Sequence, residues 1–160
     1  MNFDQAFDAL IGFEGGYSNN PADPGGATNW GVTQKVANAN GYSGDMRDYS
    51  RDDAKAVYKA KYWDAVQADQ LPDALRYSVF DAAVNSGVHQ AIQWLQQAVK
   101  VGDDGVIGPM TLSAVQGADG GRLASAFNGE RLDFMTNLPT WQVFGKGWAR
   151  RVAANLKGVA

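Results

Sequence analysis

The chain has 160 residues, 45% hydrophobic and 19% charged, with a formal net charge of −3 at pH 7 and a mean hydropathy of −0.32. That length suits one compact domain or two small lobes sharing a core, and the balance is that of a soluble globule rather than a disordered chain. The acidic balance gives no general attraction to nucleic acid, and the absence of Cys excludes disulfides, thiolate metal sites and a Cys nucleophile. The single His, His89, argues against a His-based metal cluster or a Ser-His-Asp triad, although one His can still serve. By elimination, the available chemistry is mostly that of carboxylates.

Phe3, Phe7 and Leu10 recur at i, i+4 and i+7, the spacing of one apolar helical stripe. Four residues further lies Glu14, and Gly15-Gly16 follows as a helix stop. This spacing predicts Glu14 in the last turn of the first helix, facing the core. Lost hydration and the negative end of the helix dipole would both raise its pKa, as a general acid working near neutral pH requires. The competing reading is a Glu facing solvent at a frayed helix end.

Residues 15–33 are dense in Gly, Pro, Asn and Asp, which predicts tight turns and a small β-hairpin beside the helix end. Asp23 lies nine residues after Glu14. A looped excursion of that length can set two carboxyl groups across a cleft. Glycosidic hydrolysis asks for such a pair, one protonating the leaving oxygen and one activating water or stabilising positive charge. Alternatively, Asp23 is a turn-forming residue ahead of Pro24.

Glu14-Gly15-Gly16-Tyr17, followed by Asp-Pro-Gly-Gly-Ala-Thr-Asn-Trp-Gly-Val-Thr at residues 23–33, resembles the glycoside hydrolase 108 family of phage and bacterial N-acetylmuramidases. The resemblance implies that Glu14 is the catalytic acid. The Glu-to-Asp step is also similar to that of phage lysozymes of the T4 type. Those enzymes place a Thr six residues after the Asp, where this chain has Asn29, so the adjacent Thr28 becomes the candidate for orienting the water. Tyr17 and Trp30, flanked by glycines in loops, are the best candidates for stacking on sugar rings.

In the middle of the chain, Ser50-Arg51-Asp52-Asp53 predicts an N-cap and a helix running to about Trp63. Pro72 suits the first turn of the next helix, with Leu75, Val79, Ala82 and Ala83 as its stripe. Phe80-Asp81-Ala82-Ala83-Val84-Asn85-Ser86-Gly87 resembles the family segment that follows its catalytic half. Asn85 is polar in an apolar run, either binding sugar or the catalytic loop, or standing as a satisfied core amide.

Residues 91–99 have a helical pattern and lead into Asp103-Asp104-Gly105-Val106-Ile107-Gly108-Pro109-Met110-Thr111, a turn followed by a new helix. This segment resembles the Asp-Gly-x-x-Gly-Pro-x-Thr turn of peptidoglycan-binding modules. An EF-hand reading fails, because the alternating acids and the closing Glu are missing. Near the end, Lys146, Arg150 and Lys157 fall on one helical side, opposite Trp148, Val152 and Leu156. That side is either a solvated face or a contact for anionic lipid or wall phosphates.

The expectation is a mainly α, lysozyme-like fold with a small loop or β-hairpin insertion near the catalytic cleft. A muramidase segment at 1–88 and a helical peptidoglycan-binding-like segment at 89–160 are expected to pack as one globule. The expected activity is hydrolysis of the β-1,4 bond between N-acetylmuramic acid and N-acetylglucosamine, by a monomer whose partner is peptidoglycan and which needs no metal or cofactor. Residues 1–8 carry acids where a secretion signal carries bases, and no apolar stretch nears the roughly 20 residues of a membrane span. A cytoplasmic enzyme released to the wall, as in phage-mediated host lysis, follows from that reading. The rivals are a lytic transglycosylase, which needs only Glu14, and a non-catalytic wall-binding or secretion-assisting protein.

Overall fold

The computed structural model describes residues 1–12, 16–19 and 25–158. It divides into two units, Phe3–Lys61 and Met1–Asn2 with Tyr62–Ala160. Its described residues form eight α-helices and one two-stranded sheet, the mainly helical architecture with a hairpin expected from the sequence. None of these helices is long and apolar enough to cross a membrane.

In the first unit, helix α1 (Phe3–Ile11) buries Ala6 and Phe7. Gly12 ends it, with φ at +63° and its N–H donating to the Asp8 carbonyl at 2.9 Å. This is the left-handed closure that glycine permits without steric cost. The sequence reading carried α1 on to Glu14 and stopped it at Gly15-Gly16. Gly12, the first glycine at positive φ, closes α1 after Ile11 instead; Glu14 itself lies outside the described residues.

Strand β1 (Thr28–Asn29) pairs antiparallel with β2 (Val32–Thr33), Thr28 opposite Thr33 and Asn29 opposite Val32. Trp30 and Gly31 make the turn, with φ at +51° and +73°. Two central residues of positive φ suit the type I′ hairpin, whose twist matches that of the strands. Thr28 also bridges Ser18 through two backbone hydrogen bonds of 2.7 Å each. Helix α2 (Gln34–Ala39) starts on the Thr33 hydroxyl, which accepts from the Val36 N–H at 3.3 Å.

Ser50 caps α3 (Arg51–Tyr58) as expected: its hydroxyl accepts from the Asp53 N–H at 3.0 Å and donates to the Asp53 carboxylate at 2.7 Å. The chain then winds through a π turn, Lys59–Trp63, so the helical path reaches the residue the sequence indicated.

The second unit is a helical bundle. Helix α4 (Asp73–Ser86) begins after Pro72, which serves as N-cap rather than as a first-turn residue. Leu75, Val79, Ala82 and Ala83 are fully buried, and so is Phe80. At about 1.5–3 kcal/mol for each large side chain, that burial far outweighs helix propensity. Helices α5 (Val88–Ala98) and α7 (Gly120–Thr136) pack on α4, and α8 (Trp141–Leu156) packs on α7. The short α6 (Pro109–Gln116) starts with Pro109 at its first position. Edge-on ring pairs, Trp63 with Phe80 and Trp94 with Phe127, fill the core. On α8, Val152 is buried but Leu156 is 53% exposed, so the predicted apolar side ends a turn early.

Candidate functional site

Three of the residues singled out from sequence lie in the first unit. Thr28 sits in β1, Trp30 in the hairpin turn, and Tyr17 beside Ser18, whose bridge to Thr28 ties this loop to the hairpin. Tyr17 is 41% exposed and Trp30 is half-buried. Glu14 and Asp23 lie outside the described residues.

The hairpin is held hard. Asn29 is buried, and its side-chain amide donates to the Met46 carbonyl at 2.7 Å, with a longer approach of 3.4 Å to that of Tyr49. Asn29 therefore anchors the hairpin from beneath, and its neighbour Thr28 occupies the other face of the strand. A Cβ on Gly31 would collide with the Tyr58 hydroxyl, so a side chain there would force Tyr58 to shift. Trp30 carries a bulky side chain in the left-handed region, a conformation that costs about 1–3 kcal/mol and persists only where its surroundings over-determine it.

Two arginines that the sequence reading passed over attend the aromatic candidates. The Arg47 guanidinium lies 5.8 Å from the centre of the Tyr17 ring. Arg51 lies 5.9 Å from the Trp30 ring and 4.9 Å from the Phe7 ring, and pairs with Asp8. Arg51 thus joins α1, α3 and the hairpin turn. An aromatic face beside a guanidinium offers a sugar both stacking and hydrogen-bond donation. Nothing in the spacing of Arg47 and Arg51 marks them; only tertiary packing brings them to these rings.

Asn85 belongs to the second unit. Its amide donates to the Asp81 carbonyl at 2.6 Å and approaches the Asp81 carboxylate at 3.3 Å, while the residue lies exposed at the edge of a cavity of about 600 Å³. Asp81 is itself buried. Its carboxylate accepts from Arg131 Nη1 at 2.7 Å, Arg151 Nε at 2.7 Å and Asn155 Nδ2 at 3.0 Å. Sequence reasoning missed this cluster, although an Asp between Phe80 and Ala82 in a buried stripe was a visible signal: a buried charge needs partners.

The turn at residues 103–111 is spent on its own structure. Buried Gln96 donates to the Asp104 carboxylate at 2.7 Å, the Val106 carbonyl at 3.0 Å and the Thr111 hydroxyl at 3.2 Å, and accepts from the Gly105 N–H at 2.8 Å. The Gln96 amide, and then the Val106 N–H, hold the Asp104 carboxyl below its ordinary range. The His89 ring covers Gly105 so closely that a Cβ there would collide with it.

Residues 7–87 match the family model described as Glycosyl hydrolase 108, and residues 90–153 match the model described as Predicted Peptidoglycan domain. The chain is also similar to the solved structure of Brucella abortus SagA, at 34% identity and a TM-score of 0.84, over 98% of this chain and 92% of that one. No curated protein sequence matches it. The lysozyme-like, mainly α fold expected from the sequence stands on that likeness.

Proposed function

This chain belongs to the glycosyl hydrolase 108 family, a cell-wall glycoside hydrolase with peptidoglycan as its partner, and we propose that it is an N-acetylmuramidase with Glu14 as its acid. The observation that carries the reading is the family match over residues 7–87, a span that contains both Glu14 and Asp23. In the proposed reaction Glu14 protonates the oxygen of the β-1,4 bond between N-acetylmuramic acid and N-acetylglucosamine. Asp23 assists the attack of water, which Thr28 orients from β1. Tyr17 and Trp30 supply the stacking faces, and the anchored hairpin supplies the rigidity that positioning demands. The separation of the two carboxyls, roughly 6.5–9.5 Å against 5–5.5 Å, sets whether configuration inverts or is retained.

Residues 89–160 are proposed to hold the polymer while the first segment cuts it. The lysozyme-like Glu-to-Asp step supports a lytic use, the enzyme being made in the cytoplasm and released to the wall when a phage lyses its host.

The test is mass spectrometry of soluble fragments from purified peptidoglycan, with wild type and folded Glu14→Gln. Fragments with reducing N-acetylmuramic ends, from wild type alone, are the expected outcome. Anhydro ends would move the reading to a transglycosylase. No fragments from folded wild type would leave a wall-binding protein.

A further inference from the structure

The cavity in the second unit is a built site that the proposed hydrolysis does not use. Its volume of about 600 Å³ falls within the range of small-molecule sites. Its lining combines apolar Phe134, Met135, Leu138 and Trp148 with Arg131 and Arg151, and with the amides of Asn85 and Gln90. The Trp148 ring packs on those of Phe144 at 5.8 Å and Trp141 at 6.2 Å.

The charge is unbalanced. One carboxylate, Asp81, faces two guanidinium groups, which leaves the cluster at a net charge of +1. Arg131 is 2% exposed, and its Nε has no hydrogen-bond partner among the described residues. Among the described residues Arg151 spends only its Nε on Asp81, with 39% of its side chain exposed. A half-enclosed positive charge with unspent forked donors favours a carboxylate, held bidentately. The apolar lining residues ask that the carboxylate be attached to an aliphatic chain.

Resting on the assignment of peptidoglycan as partner, we propose that this cavity binds the peptide stem of peptidoglycan through a stem carboxylate on Arg151, with aliphatic stem side chains against Trp148 and Phe134. The lactyl carboxylate of a peptide-free muramic acid shares the anionic chemistry but brings no comparable aliphatic chain. The stem therefore meets both the charged and the apolar lining residues, and the bare glycan only the charged ones.

The experiment titrates the full chain with two probes, the free tripeptide L-Ala-D-Glu-meso-diaminopimelate and a peptide-free glycan oligomer, following the Trp148 indole and Arg151 side-chain signals by NMR. The tripeptide is expected to shift both signals. Arg151→Gln, which removes the excess charge, should weaken binding about tenfold or more. Should Arg151→Gln fail to fold, Gln90→Glu sets a like charge at a half-buried lining position and should weaken binding comparably. Overturning results are shifts from the peptide-free glycan equal to those from the tripeptide, no tripeptide shifts, or unchanged affinity in a folded Gln90→Glu. Wall hydrolysis by a wild type that ignores the tripeptide would refute the stem site while leaving the muramidase reading standing.

Discussion

Asp81→Asn tests whether the second unit is organised around a buried charge. The wild-type carboxylate is 1% exposed and holds Arg131, itself 2% exposed, at 2.7 Å. Asparagine keeps the shape and one accepting oxygen but removes the negative charge, and its amide nitrogen turns a donor toward donors. Arg131 is then a buried cation without compensation, which costs about 3–5 kcal/mol. For a chain of this size that corresponds to a fall in Tm of roughly 6–20 °C. The control is Arg151→Gln. Arg151 is 39% exposed, so Asp81 loses only a partly solvated partner and keeps Arg131. That substitution should cost no more than about 1.5 kcal/mol. Thermal unfolding followed by far-UV circular dichroism reads both. If Asp81→Asn cost under about 1 kcal/mol, or if Arg151→Gln cost as much as Asp81→Asn, the reasoning from burial would be refuted.

Gly31→Ala meets two obstacles, a φ of +73° and the Tyr58 hydroxyl. It should destabilise the hairpin by about 1–3 kcal/mol, visible as a lowered melting point with wall-hydrolysing activity falling alongside; an unchanged melting point would show that the turn tolerates a side chain. Gln96→Leu keeps the volume but strips partners from the buried Gly105 N–H and Thr111 hydroxyl, a loss of about 2–5 kcal/mol in urea unfolding at neutral pH. The same substitution tests a pH effect. Because the folded pKa of Asp104 is depressed, first by Gln96, its ionisation contributes stability above an unfolded value of about 3.9. That stability is lost as pH falls through the lower folded value. The urea midpoint should therefore drop less on acidification from pH 5 to about pH 2.5 in Gln96→Leu than in wild type; equal drops would mean that the Gln96 amide does not hold Asp104 ionised.

What could be read from the sequence was local. Ser50 announced its cap because a hydroxyl three residues ahead of Asp53 is placed to accept from a first-turn N–H of α3. The density of Gly, Pro, Asn and Asp in residues 15–33 announced a hairpin, though not its turn at Trp30-Gly31, and the stripe of α4 announced its buried face. Each of these is decided by bonds and periodicities spanning a few residues. The length of α1 was misread even locally: three glycines stood near its end, and the first sufficed to close it.

The family, and with it the class of chemistry, was legible because residues 14–33 form one contiguous run of unusual residue types. Tertiary structure alone decided which distant side chains meet. Arg51 reaches Phe7 and Trp30 from a helix that begins some twenty residues after the hairpin turn. Arg131 and Arg151 reach Asp81 across separations of 50 and 70 residues. A single sequence shows that a buried Asp must find positive partners, because an unpaired charge is too costly in the core. It does not say which arginines those are, since loop closure over such lengths costs little more for one candidate than for another. Packing makes that choice, and with it the excess charge that marks the cavity.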